Sequence, residues 1–129
     1  MKTASDPRHQ NRRHIIQELY AYFLNQETKL LNQKSIEIIA NLEDIDKKIT
    51  KNAPEWPLAN INKVDLAILR LGVYEILYCD DISDLVAIDE AIELGKEFGS
   101  EDTPSFINAV LAKIMKDNNC HSVLDTESI

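Results

Sequence analysis

Apolar residues recur at helical spacing along almost the whole chain. Between about Arg8 and Asn25 they follow the i, i+3, i+4, i+7 and i+8 pattern of one helix face. The residues of this stripe are Ile16, Leu19, Tyr20, Phe23 and Leu24. Asp6 and Pro7 precede the stretch, and they are typical N-cap and first-turn residues. The pattern therefore predicts a first helix that begins directly after Asp6.

The middle of the chain predicts two further helices that differ in character. One runs from about Glu27 to Lys51 with a single apolar stripe and charged residues outside it. Pro54 and Pro57 follow, and proline cannot continue the hydrogen-bond ladder of a helix. The next helix, about Asn60 to Cys79, is apolar nearly all round. Such a helix is buried by neighbours on several sides, so we expect it at the centre of the fold.

Two amphipathic segments follow. Ser83–Phe98 reads as a fourth helix, with Gly99 expected to end it in the left-handed conformation. Thr103 as N-cap and Pro104 at the first helical position open a fifth. The apolar stripe of this helix is Ile107, Val110, Leu111 and Ile114. A polar tail after about residue 116 is expected to fray. Five helices without a strand predict an all-α, compact helical bundle that forms a single domain over residues 1–129.

Composition narrows the class of protein. The 129 residues are 44% hydrophobic and 28% charged, which is ordinary for a globular domain. No segment reaches the roughly 18 apolar residues that a membrane span needs. The polar start, Met1 to Arg13, lacks the apolar run of a signal peptide. We therefore expect a cytoplasmic protein in which Cys79 and Cys120 are free thiols.

Charge is distributed unevenly along the chain. The net charge is −8, yet residues 1–14 carry four cations and one anion, so the remainder carries −11. The four cations are Lys2, Arg8, Arg12 and Arg13. Contact with a polyanion is therefore expected to begin at the N-terminus, whereas the acidic remainder suits a basic protein partner.

The sequence contains no recognisable catalytic constellation. It lacks the GxxxxGK[ST], GxSxG and HExxH motifs. The acidic cluster Asp80, Asp81 and Asp84 lacks the glycine and terminal glutamate of a calcium loop. Cys120 and His121 are adjacent, but no second pair stands at a metal-ligand spacing. We expect a protein that is not an enzyme and that uses no cofactor or metal.

Three motifs in the second half resemble the NusB family. They are NKVDLAILRLGVYEIL at 62–77, VAIDEAIELGKEFG at 86–99 and SFINAVL at 105–111. The opening helix is also similar, with Arg12 and Arg13 followed by QELY at 17–20. Any one motif alone would be weak, but their combination in the same order is specific.

The resemblance implies an all-α, non-enzymatic transcription antitermination factor. Members bind a single-stranded boxA element in ribosomal RNA transcripts, pair with a small-subunit ribosomal protein and act in the antitermination complex of RNA polymerase. At matching positions the RNA-binding residues would be Arg8, His9, Arg12, Arg13, Tyr20, Ser105 and Phe106. The residues for the protein partner would be Asp65, Glu75 and Asp102.

Plainer interpretations stand beside these assignments. The arginines can form a solvated basic helix start, and an aromatic residue at helical spacing, such as Tyr20, is more often core than a base-stacking platform. Asp65 and Glu75 can lie at a helix rim and pair with Lys63 or Arg70. Arg70 itself is expected to pair with a carboxylate inside the bundle.

The sequence departs from the family pattern at three places. The segment between residues 25 and 64 is short and reads as one helix where the family has about two. Ala109 replaces a glycine, and Ser105 replaces a residue that is basic in many members. The acidity of the chain, the short middle segment and Ser105 favour an alternative function, a protein-only scaffold that has lost RNA binding. A third alternative is the NusB-like domain of an RNA cytosine methyltransferase, which we expect less because the chain ends where the methyltransferase domain would begin.

Overall fold

Six α-helices account for most of the computed structural model, which describes the backbone of residues 6–128 and the side chains of residues 6–119. Lys2 and the side chains of Cys120 and His121 lie outside these residues. No strand occurs within 6–128, and a short 3₁₀ helix spans Leu58–Asn60. The helices are α1 (Pro7–Leu24), α2 (Gln33–Ala40), α3 (Leu42–Asn52), α4 (Lys63–Tyr78), α5 (Asp84–Phe98) and α6 (Thr103–Ser128).

Helix α1 begins where the sequence predicts. The Asp6 carboxylate accepts a hydrogen bond from the backbone N–H of Arg8 at 2.9 Å, and Pro7 is the first helical residue. The buried face is rotated relative to the predicted stripe. It consists of His9, Arg12, Ile15, Ile16 and Leu19. Tyr20 and Leu24, predicted on the apolar face, are exposed instead.

The prediction of one helix over 27–51 is wrong, because the chain forms α2 and α3 with a break at Asn41. The Asn32 side chain accepts a hydrogen bond from the backbone N–H of Lys34 and so caps α2. Asn41 donates its side-chain N–H to the carbonyl of Glu37, and its backbone leaves the helical region. The break lets both short helices bury isoleucines in one core, since Ile38 and Ile45 are fully buried.

Helix α4 is the centre of the bundle, as predicted. Every residue from Leu66 to Ile76 is buried, and α4 contacts each of the other α-helices. Gly72 allows close packing on α6, because a Cβ there would lie 2.7 Å from a methyl carbon of Leu111. Arg70 donates two hydrogen bonds of 2.9 Å to the Asp46 carboxylate, so its predicted pairing with a carboxylate is confirmed.

The turn between α5 and α6 corrects two expectations. Gly99 is not left-handed, since its φ is −93°. Glycine fits there because a Cβ would lie 2.5 Å from the Thr103 side chain. Thr103 is the first residue of α6 rather than its N-cap, and the carbonyl of Asp102 accepts the N–H of Phe106.

Helix α6 also extends further than predicted. Its backbone stays helical to Ser128, past the polar segment that was expected to fray. Beyond Met115 the helix still contacts α3, because Lys51 of α3 donates a hydrogen bond to Asp117 at 3.2 Å.

Candidate nucleic-acid interface

Arg12 lies inside the protein, not on its surface. Only 7% of the residue is exposed, and its Nε lies 3.1 and 3.0 Å from the two carboxylate oxygens of Glu75. Its Nη1 donates a hydrogen bond to Glu90 at 3.2 Å, and the Lys34 Nζ lies 3.8 Å from Glu75. Glu75 is 1% exposed. The structure therefore pairs a predicted RNA contact with a predicted partner contact.

The buried His9 side chain lies beside the same cluster. Its Nε2 lies 2.5 Å from a carboxylate oxygen of Glu97, and its Nδ1 lies 3.6 Å from Glu90. Burying an ionised side chain costs several kcal/mol unless an opposite charge accompanies it, which is why the Arg12 guanidinium lies against Glu75 and Glu90. His9, Arg12 and Glu75, which the sequence predicted as contacts to RNA or to a partner, are thus buried in this structure.

Two arginines of α1 remain accessible. The Arg8 side chain is exposed, with its Nε 3.7 Å from Asp6. The backbone N–H of Arg8 holds the pKa of the Asp6 carboxyl below its ordinary value. Arg13 is part-exposed, its Nε lies 3.0 Å from Glu97, and its guanidinium lies 5.5 Å from the ring centre of Phe98. Both cations have exposed or half-exposed partners, which water screens.

An apolar groove runs beside Arg13. Its volume is about 240 Å³, and it is lined by Ile16, Gln17, Tyr20, Val64, Ala67 and Phe98. Arg13, Gln17 and Tyr20 lie four and seven residues apart, so they share one edge of α1. Tyr20 is 39% exposed, so its ring is available to a flat apolar ligand. The groove therefore combines a cation with an accessible aromatic ring.

The start of α6 carries the other predicted RNA residues. Ser105 and Asp102 are exposed, whereas Phe106 is half-buried. Phe106 packs edge to face against Trp56, with ring centres 5.9 Å apart. Asp65 is half-buried and accepts a hydrogen bond from the Thr103 hydroxyl at 2.8 Å, so its carboxylate holds α4 to α6.

Sequence reasoning missed Trp56 as a candidate. It is 51% exposed and extends the aromatic surface of Phe106. The available signal was its position, because a tryptophan between Pro54 and Pro57 lies outside any helical stripe.

A second surface missed by the sequence lies at the turn between α4 and α5. Its exposed apolar side chains are Tyr78, Leu85 and Val86, and Leu85 is 71% exposed. Asp80 and Asp81 are exposed beside them. Exposed apolar residues rimmed by charge are typical of a protein-binding surface. The signal was Leu85 and Val86, which have no place in the apolar stripe of α5.

The family assignment rests on most of the chain. The pattern of the NusB family matches residues 3–116. The chain belongs to the NusB family. It is 47% identical over 76 residues to transcription antitermination protein NusB of Clostridium novyi (strain NT), a match that covers 59% of this chain and 57% of that protein. It is 45% identical over 91 residues to the NusB of Alkaliphilus oremlandii (strain OhILAs), covering 70% of this chain and 66% of that protein.

A solved structure of a NusB protein has the same fold as this chain. The structure of T. maritima NusB matches with a TM-score of 0.75 at 32% identity, covering 90% of this chain and 93% of that one. The prediction of an all-α bundle of NusB type is thereby confirmed for the described residues, with six helices in place of the five predicted. The matched regions span little more than half of the Clostridium NusB and about two thirds of the Alkaliphilus NusB.

NusB proteins are antitermination factors rather than enzymes, which confirms the expectation of a non-enzymatic chain. Cys79 is a free thiol, and burial raises its pKa, so little of it is thiolate at neutral pH. Within the described residues no three His, Cys, Asp or Glu side chains are grouped to hold a metal. None of the described helices is long and apolar enough to cross a membrane.

Proposed function

We propose that this chain is a transcription antitermination factor that binds single-stranded boxA-type RNA of ribosomal RNA transcripts together with a small-subunit ribosomal protein. It would act in the antitermination complex of RNA polymerase. The observation that carries the proposal is the apolar groove lined by Tyr20 and Phe98 next to Arg13, here called the Arg13–Tyr20 groove, on a chain that belongs to the NusB family.

The RNA face consists of two exposed regions. Arg8 and Arg13 supply cations, and Tyr20 supplies a ring that can stack on an unpaired base. Ser105 and Phe106 extend the face at the start of α6. The ion pair of Arg13 with Glu97 is part-exposed, so a phosphate can replace the carboxylate at small cost.

Titration of a labelled boxA-type strand at several salt concentrations tests the RNA face. If Arg8 and Arg13 neutralise about two phosphates, replacing both with Ala should reduce the slope of log affinity against log salt by about 1.4. Tyr20→Ala should cost about 1–3 kcal/mol and leave the slope unchanged, because stacking releases few counterions. Lys29→Ala is the matched control, since it removes an exposed cation outside this face. Parent-like binding by the double-arginine variant would refute the assignment.

The ribosomal partner would dock on the acidic turn between α4 and α5. The exposed Asp80 and Asp81 suit a basic protein, and Leu85 and Val86 supply the apolar contact that most interface affinity needs. Asp102, which is also exposed, marks the alternative site for the ribosomal partner, at the start of α6.

Association kinetics distinguish the two partner sites. Reversing Asp80 and Asp81 to Lys should slow association and weaken its salt dependence, whereas Leu85→Ala should mainly speed dissociation. Asp102→Lys is the matched control. If the control alone slows association, the partner binds at the start of α6 instead.

A protein-only scaffold is the second candidate. Burial of His9 and Arg12 in the interior ion network favours it, because two predicted RNA contacts are thereby removed from the surface. RNA titration decides between the two functions. If the parent binds no boxA-type strand, even with the ribosomal partner present, the scaffold is the better explanation.

A further inference from the structure

A row of exposed lysines lies along the edge that α3 shares with α6. Lys47 and Lys51 of α3 and Lys113 and Lys116 of α6 are all exposed. The two helices are linked at this edge, because the Lys51 Nζ lies 3.2 Å from the Asp117 carboxylate. We call the four lysines the lysine strip.

The strip leads away from the aromatic pair at the start of α6. Phe106, Lys113 and Asp117 are seven and four residues apart, so they lie on one edge of the helix. The eleven-residue separation of Phe106 and Asp117 corresponds to about 16 Å along the helix axis. Trp56 packs on Phe106 and therefore marks one end of the strip, and Lys51 marks the other.

The strip holds more cations than the local carboxylates neutralise. Lys47 lies 3.3 Å from Glu43, and Asp117 forms ion pairs with both Lys51 and Lys48. Lys113 and Lys116 make no ion pair with another described residue. Five lysines thus face two carboxylates on a chain whose net charge is −8. This local excess is the kind of surface that attracts a polyanion.

The neighbourhood fits RNA better than it fits a protein. None of the exposed large apolar side chains in the described residues belongs to α3 or α6. Trp56 beside the strip would be the one such anchor, whereas a protein interface needs a cluster of apolar side chains that exclude water from its centre. A single strand needs only cations for its phosphates and a ring for a base, and the lysine strip with the half-exposed Trp56 supplies both.

We propose that single-stranded RNA held at the Arg13–Tyr20 groove and the start of α6 continues over Trp56 and along the lysine strip. This inference rests on the proposed function. The base next to the strand's α6 contact stacks on Trp56, and the following phosphates pair with the lysines of α6 and α3. The protein thus contacts a longer segment of transcript than its α1–α6 face alone can cover.

RNA length is the variable that tests this extension. A short boxA-type strand is compared with strands lengthened by about eight nucleotides at the 5′ or the 3′ end, each titrated at several salt concentrations. One of the longer strands should bind more tightly and lose affinity more steeply with salt, by about 0.7 in slope for each added phosphate contact.

Charge reversal shows whether the lysines are responsible. Lys113→Glu and Lys116→Glu, each alone, should reduce the gain from the longer strand and leave binding of the short strand unchanged. Lys29→Glu changes the net charge equally at an exposed site outside the strip and should leave the gain intact. The Lys113→Arg and Lys116→Arg variants should also retain it.

The aromatic end of the strip has its own test. Trp56→Ala should weaken binding of the longer strand about tenfold without changing the slope of log affinity against log salt. Trp56→Phe should retain most of the parent's affinity. Thermal melts of each variant verify that the bundle is folded.

The outcomes separate this inference from the proposed function. If the short and long strands bind equally, the extension is wrong and the proposed function stands. The extension is also wrong if Lys29→Glu weakens the long strand as much as the strip variants do, because the effect is then one of net charge. If no RNA strand binds, both the proposed function and the extension are wrong.

Discussion

At the scale of single residues, the burial of Arg12 depends on residues far away in sequence. Its helical spacing from Arg8 is that of a surface pair, and nothing nearby in sequence marks it as buried. The two glutamates that bind it lie 63 and 78 residues later in the chain. Patterning predicts which residues are apolar and buried, but it cannot identify a buried ion network whose three members come from three helices.

Arg12→Ala should therefore destabilise the protein strongly. It would leave Glu75 buried without its main partner, and breaking a buried ion pair by removing one member costs about 3–5 kcal/mol. Arg8→Ala, at an exposed position of the same helix, should change the free energy of unfolding by less than about 0.5 kcal/mol. Urea denaturation of both variants measures the difference. An Arg12 variant as stable as the Arg8 variant would contradict the role of the buried network.

At the scale of elements, the sequence predicts helices better than it predicts the breaks between them. Helices α1, α4 and α5 lie within a few residues of their predicted bounds, because caps and apolar periodicity agree there. The break at Asn41 has no proline or glycine to signal it. Two short helices meet there because their isoleucines face one core, and that is a tertiary cause.

The central position of α4 gives an element-scale prediction. Leu69 is fully buried among several helices, so Leu69→Ala should cost about 2–5 kcal/mol through lost contacts and the cavity left behind. Leu85→Ala, at an exposed leucine of α5, is the matched control. If thermal melts give the Leu69 and Leu85 variants the same melting temperature, α4 is not central.

The α3–α6 link predicts a dependence on pH. The hydrogen bond from Lys51 holds the pKa of Asp117 below its ordinary value of 3.8. A lowered pKa means that the carboxylate stabilises the folded state above pH 3.8, and that this contribution is lost as the pH falls through the lower, folded-state value. Asp117→Asn should therefore melt below the parent at pH 7, and the two melting temperatures should converge once the pH falls below the lowered pKa of Asp117. A difference that persists in acid would have another cause.

At the scale of the whole molecule, the apolar groove and the acidic turn stand at opposite ends of α5, whereas Arg8 of the proposed RNA face lines a cavity together with Asp81 and Val86 of the acidic turn. The acidic turn precedes Asp84, and Phe98 of the groove closes the helix. Fifteen residues of helix separate them by about 22 Å. The sequence indicated both ligands through the resemblance, but it could not locate the partner face, since that face depends on which carboxylates the fold buries.

The separation of the groove from the acidic turn predicts that RNA in the groove and the ribosomal protein bind at the same time, with Arg8 as the place where the two ligands meet. A saturating amount of the partner should not displace a labelled boxA-type strand. It should instead raise the RNA affinity, because a basic protein offsets part of the charge of −8. Fluorescence anisotropy of the strand, with and without partner, measures this. Displacement would mean that the two faces overlap.

The buried ion network also has a consequence for synthesis on the ribosome. Arg12 is translated early, yet its carboxylates at Glu75 and Glu90 follow only when more than half of the chain has been made. Until then α1 carries the Arg12 cation without its partners on the face that will later be interior. We therefore expect the nascent chain to dock its first helix only after α5 has been made.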